Sequence, residues 1–82
     1  MEFAKGNGYK LPVARYQERQ PNGGRYVTAK WLGTNLGHLL VHFERVVRAG
    51  EVEYTDEEKR KYAHDVRVVC GDVVIAEKVW ER

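Results

Sequence analysis

Eighty-two residues, 43% of them hydrophobic, suit one small globular domain, leave no room for two and exclude a disordered chain. A single cysteine, Cys70, excludes an internal disulfide, and an unpaired thiol fits a reducing compartment better than secretion. The net charge of +2 is unevenly placed: residues 1–48 carry eight Lys or Arg against three acids, and residues 49–82 carry six against nine, so the halves are +5 and −3.

Such a polarity can steer a charged partner toward one end of the molecule. The opening MEFAKGNGYK has no apolar run long enough for a signal peptide, and no segment is apolar over the length of a membrane span. The expected location is the cytoplasm, with no membrane partner. Residues 1–8, with Gly6 and Gly8, read as a loose lead-in to one domain covering 1–82.

A β-hairpin is expected next. In YKLPVARY (9–16), Tyr9, Leu11 and Val13 share one face; in RYVTAKWL (25–32), Val27, Ala29 and Trp31 share one and Tyr26, Thr28 and Lys30 the other. Between them, Pro21, Asn22, Gly23 and Gly24 supply turn chemistry. Pro12 lacks an N–H donor, which places the first strand at a sheet edge.

Leu36, Leu39, Leu40, Phe43, Val46 and Val47 recur at helical spacing and form one apolar stripe. Thr34 or Asn35 can cap the start. Gly50 stands where a left-handed C-cap belongs, with Arg45 and Arg48 in the last turn. Thr55-x-x-Glu58 is a capping box opening a short helix over about 56–63, and Asp56, Glu57 and Glu58 suit its dipole. The chain closes on a hairpin, DVRVVC-GD-VVIAEKVW, with a two-residue Gly71–Asp72 turn. A regular register puts Val66, Val68, Cys70, Val73, Ile75 and Val79 on one face and Arg67, Val69, Val74, Ala76, Lys78 and Trp80 on the other. The expected fold is α+β, in the order β-β-α-α-β-β: a four-stranded antiparallel sheet packed against one long and one short helix. Its core should join Leu39, Leu40, Phe43, Val47, Val68, Ile75, Val27 and Trp31.

No catalytic constellation emerges. His38 and His42 stand four apart, and His64 and Cys70 could complete a zinc set, but there is no H-E-x-x-H and no Cys-x-x-Cys. The stripe leaves His38 outside and His42 at its boundary, so surface histidines without metal are expected. Cys70 falls on the core face, where a thiol acts as a small apolar group rather than a nucleophile. Glu51, Glu53, Asp56, Glu57 and Glu58 read as helix-start and solubilising charges. Gly6-Asn7-Gly8 and Asn22-Gly23-Gly24 lack the Gly-Lys-Ser/Thr ending of a phosphate loop. The chain is expected to be no enzyme and to need no cofactor.

Two surfaces remain. The first hairpin exposes Lys10, Tyr16, Tyr26, Thr28 and Lys30, with Arg15, Arg19 and Arg25 toward its tip; cations neutralise phosphates and tyrosines stack on bases. This is the candidate nucleic-acid or nucleotide surface, built on Lys10, Arg15, Arg19, Arg25 and Lys30. The second surface is the Trp80 face of the last hairpin, with Val69, Val74 and Ala76 and flanked by Arg67 and Lys78, and it suits a protein partner or a homodimer. Tyr16 and Tyr26 are the next candidate anchors, and Val41, opposite the helix stripe, marks a smaller patch. The leading expectation is a small binding protein that docks on another macromolecule, chiefly a protein of nucleic-acid metabolism; direct binding of nucleic acid by the hairpin is the alternative. In compactness and in its lack of catalytic residues the chain looks like phage or mobile-element accessory proteins, including anti-CRISPR-type inhibitors, a likeness of size and not of residues.

Overall fold

A computed structural model of the chain describes residues 13–81. The elements are β1 (Ala14–Arg19), β2 (Val27–Thr28), a 3₁₀ turn (Lys30–Leu32), α1 (Leu36–Glu53), α2 (Asp56–Tyr62), β3 (Asp65–Cys70) and β4 (Val73–Lys78). The strands form one antiparallel sheet in the order β2-β1-β3-β4, and α1 packs on β1 and β3. The expected α+β order is the observed one. The readings placed on residues 1–12, including the lead-in, Lys10 and Pro12, lie outside the described residues.

β1 is not an edge strand. It pairs with β3 along its whole length, from Ala14↔Cys70 to Arg19↔Asp65, but with β2 only at Gln17↔Thr28 and Glu18↔Val27. The long ladder with β3 therefore sets where β1 begins and ends, and the strand extends to Arg19 instead of stopping at Tyr16. One further bond, from the Ala29 N–H to the Tyr16 carbonyl at 2.8 Å, prolongs the β2 side. Beyond it the backbone satisfies itself locally, with Leu32 N–H bonding Ala29 and Gly33 N–H bonding Lys30. Trp31 thus lies in a 3₁₀ turn rather than in a strand.

α1 opens as expected, its Asn35 side chain accepting from the His38 N–H at 2.9 Å. It does not stop at Gly50. It runs on to Glu53, and no basic residue stands in its last turn. The glycine is required by packing instead of by capping: a Cβ on Gly50 would come within 2.8 Å of the Trp80 indole. The capping box of α2 is complete, with Thr55 N–H to Glu58 Oε1 at 2.9 Å and Glu58 N–H to Thr55 Oγ1 at 3.2 Å.

The core lies between α1 and the sheet. Ala14, Tyr16, Leu39, Val66 and Val68 are buried, and Ala29, Leu32, Leu40, Phe43, Val46 and Val47 pack against them. Three expected core members are exposed: Val27, Trp31 and Ile75. For Ile75 the reason is a β-bulge. β3 and β4 pair at Cys70↔Val73 and Val69↔Val74, then at Val68↔Ala76, so one extra residue on β4 interrupts the ladder. Every side chain after it changes face. Ala76, Lys78 and Trp80 turn toward α1; Trp80 is 6% exposed and Val79 51%, the reverse of the regular register. No helix among the described residues is long and apolar enough to cross a membrane.

Candidate functional site

Alternation along β1 and β3 sends Gln17, Arg19 and Arg67 to the sheet face away from α1, because Tyr16, Val66 and Val68 point into the core. There the side chains hold one another. The Arg67 Nε donates to Gln17 Oε1 at 2.8 Å, and Gln17 Nε2 donates to Thr28 Oγ1 at 3.1 Å. Both Arg67, at 3.8 Å, and Arg19, at 4.7 Å, lie over the Tyr26 ring. Arg19 also donates from Nε and a terminal nitrogen to Oδ2 of the buried Asp65, at 3.1 and 2.8 Å. Burial pushes the Tyr26 phenol up from its ordinary range, outweighing the guanidinium groups that act in the other direction. Its hydroxyl is buried without a hydrogen-bond partner among the described residues.

Asp65 joins this network to Trp80. Its Oδ1 accepts the Trp80 backbone N–H at 3.0 Å, while the indole N–H donates to the His64 carbonyl at 2.9 Å. Lys78 Nζ stands 4.7 Å over the indole and 3.7 Å from Glu51 on α1. Trp80 is therefore a structural tryptophan, hydrogen-bonded through two donors and seated against Gly50. The expectation of an exposed Trp80 flanked by Arg67 and Lys78 is overturned: the bulge keeps Lys78 with Trp80 on the α1 side and leaves Arg67 on the other. The expected outward Tyr16 is also corrected. It is 2% exposed, edge-on to His42 with centroids 4.9 Å apart, and burial first, then Glu18, pushes its pKa up to about 12.

The expected basic surface is only partly assembled. Arg15 and Lys30 line one cleft with Thr28, Gly33 and Thr34. Arg25 is exposed in the loop before β2, and Arg19 is committed to Asp65. Of the two tyrosines expected to stack on bases, Tyr16 is buried and Tyr26 is covered by guanidinium groups. Cys70 is half-buried at the end of β3. Among the described residues no three His, Cys, Asp or Glu side chains gather as a metal set.

A different site stands out. Between α1 and the 3₁₀ turn on one side and the α2–β3 connection on the other lies a groove of about 370 Å³. Its floor includes Tyr16, Val66 and Trp80, and its rim carries Trp31, Tyr54 and Tyr62. These three rings stay open to solvent, Trp31 at 80% exposure. His42 links floor and rim, 4.9 Å from Tyr16 and 6.1 Å from Trp31. Glu18, His64 and Glu53 complete the wall, and among the described residues no Ser, Thr or Cys lines it. The groove thus combines aromatic surface with two imidazoles and two carboxylates. The sequence signal for Tyr54 and Tyr62 is faint: they bracket the wholly charged DEEKRK of α2, which gives them no core of their own. Comparisons with known protein families, with curated proteins and with solved structures return no match for this chain.

Proposed function

We propose that this chain is a non-enzymatic binding protein that docks on another protein through the groove between α1 and the α2–β3 connection. One observation carries the reading. Trp31, Tyr54 and Tyr62 remain exposed around a single concavity, while the other large aromatics that line it, Tyr16 and Trp80, are buried beneath them. Aromatic anchors around a preformed concavity supply most of the energy in protein interfaces. Trp31 in particular, at 80% exposure, buries little surface and so brings little stability of its own. The test is a pull-down from nuclease-treated lysate of the native host with wild-type and Trp31→Ala baits. A stoichiometric partner should be retained by the first, and purified partner should bind the variant ~2 kcal/mol or more weaker at unchanged melting temperature. Equal affinity for both would remove the groove as the interface.

Direct nucleic-acid binding keeps one supporting observation, the shared cleft of Arg15 and Lys30. On that reading Arg15→Glu with Lys30→Glu lowers affinity for every oligonucleotide alike and flattens the salt dependence. Unaltered oligonucleotide binding in the double variant would exclude this cleft.

A further inference from the structure

We infer that the groove takes a basic segment of the partner protein, with a lysine or arginine side chain entering among Trp31, Tyr54 and Tyr62; the inference rests on the groove being the docking site argued above. The first support is the sign of its charge. The chain has 14 Lys and Arg residues, yet among the described residues none lines the groove, whereas Glu18 and Glu53 do. Glu18 has the His64 ring 3.9 Å away, and both glutamates are solvent-exposed. The second is the helix that ends there. α1 brings Ala49, Gly50, Glu53 and Tyr54 to the wall, so its C-terminal carbonyls add negative partial charge. No basic residue in the last turn offsets them, and the cap closes with one long bond, Tyr54 N–H to the Gly50 carbonyl at 3.4 Å.

The third support is the rings themselves. Aromatic faces carry negative quadrupole charge and attract ammonium and guanidinium groups, more so where water is thinned out. The fold already uses this attraction, with Arg67 and Arg19 over Tyr26 and Lys78 over Trp80. Carboxylates, a helix C-terminus and ring faces all favour a cation at the same place. An acidic peptide or a phosphate would meet repulsion from the first two. A bare apolar side chain would gain nothing from the two carboxylates that line the groove.

The experiment uses the full chain at physiological salt and three short synthetic peptides: arginine-rich, glutamate-rich, and uncharged with leucine and phenylalanine. Tryptophan fluorescence reports binding, and the part of the change that Trp31→Ala abolishes belongs to Trp31, Trp80 being the other emitter. The arginine-rich peptide should bind best, and Glu18→Gln with Glu53→Gln should weaken it by ~10-fold or more without moving the melting temperature. Trp31→Ala, followed by calorimetry, should weaken it comparably. Undiminished arginine-peptide binding in the double glutamine variant overturns the inference. So does stronger binding of either other peptide; if that binding is lost in Trp31→Ala, the groove is still the docking site and only its occupant is wrong. If no peptide binds in a Trp31-dependent way, the docking site falls as well.

Discussion

On the sheet face away from α1, Arg19, Arg67 and Tyr26 are held by one another and by Asp65, Gln17 and Thr28. On the α1 side, Trp31, Tyr54 and Tyr62 stand around a groove that no described residue fills. Read as composition, the first face is the better candidate for a ligand, since it has cations and an aromatic ring. In the structure those groups are already partnered, and a ligand would have to break charge-assisted hydrogen bonds and a stacked pair to use them. Among the described residues no cation lies over the three rim rings, and Trp31 meets the edge of His42 at 6.1 Å. On the proposed reading, a binding surface is marked by unspent contacts more than by residue type.

The contrast between structural and available aromatics can be broken most sharply at Trp80. Trp80→Ala should destabilise the fold by ~3–5 kcal/mol in denaturant titration, because it empties a buried site and removes the indole N–H bond to the His64 carbonyl. A nearly intact fold would return Trp80 to the surface. Asp65→Ala comes next. It leaves the buried Trp80 N–H without its acceptor, at a cost of ~1–3 kcal/mol, and frees Arg19 from the polar face.

Gly50→Ala tests the same seat from the helix side. The new methyl meets the indole at 2.8 Å, and overpacking by ~1–3 kcal/mol outweighs the ~1 kcal/mol gained in helix propensity. In a Trp80→Ala background the clash is gone, so the substitution should become stabilising. An unchanged sign across the two backgrounds would show that Gly50 and Trp80 do not meet.

Tyr16 sharpens the contrast by titration. Its pKa is raised from 10.0 to about 12, so the neutral form is favoured by folding. The associated stability is fully present below pH 10 and is lost as pH rises through about 12. Tyr26, also raised, contributes in the same direction. Tyr16→Phe should shrink the alkaline loss seen in pH-dependent unfolding, and an unchanged alkaline limb would mean that Tyr16 is solvated. The smallest effect belongs to Trp31. Trp31→Ala should change stability by no more than ~0.5 kcal/mol; a loss comparable to that of Trp80→Ala would make it a core residue and erase the distinction between floor and rim.

Much of this molecule was set by local chemistry. The 3.6-residue stripe from Leu39 to Val47 places α1 on the core, Asn35 and the Thr55–Glu58 box start the helices, and Gly71 takes the positive φ of 63° that the tight β3–β4 turn needs. These depend on neighbours within a few residues, so they could be read directly, and with them the α+β order. The candidate site could not. Trp80 faces the helix because one extra residue at the β4 bulge inverts everything after it, and a sequence of alternating Val, Ile and Ala does not say where a ladder skips. Gly50 is compatible with a C-cap or with close packing, and only the approach of the indole decides between them. The groove rings come from three separate stretches, at Trp31, Tyr54 and Tyr62. Their meeting around one concavity is a property of how α1, the 3₁₀ turn and the α2–β3 connection pack, and no local pattern contains it.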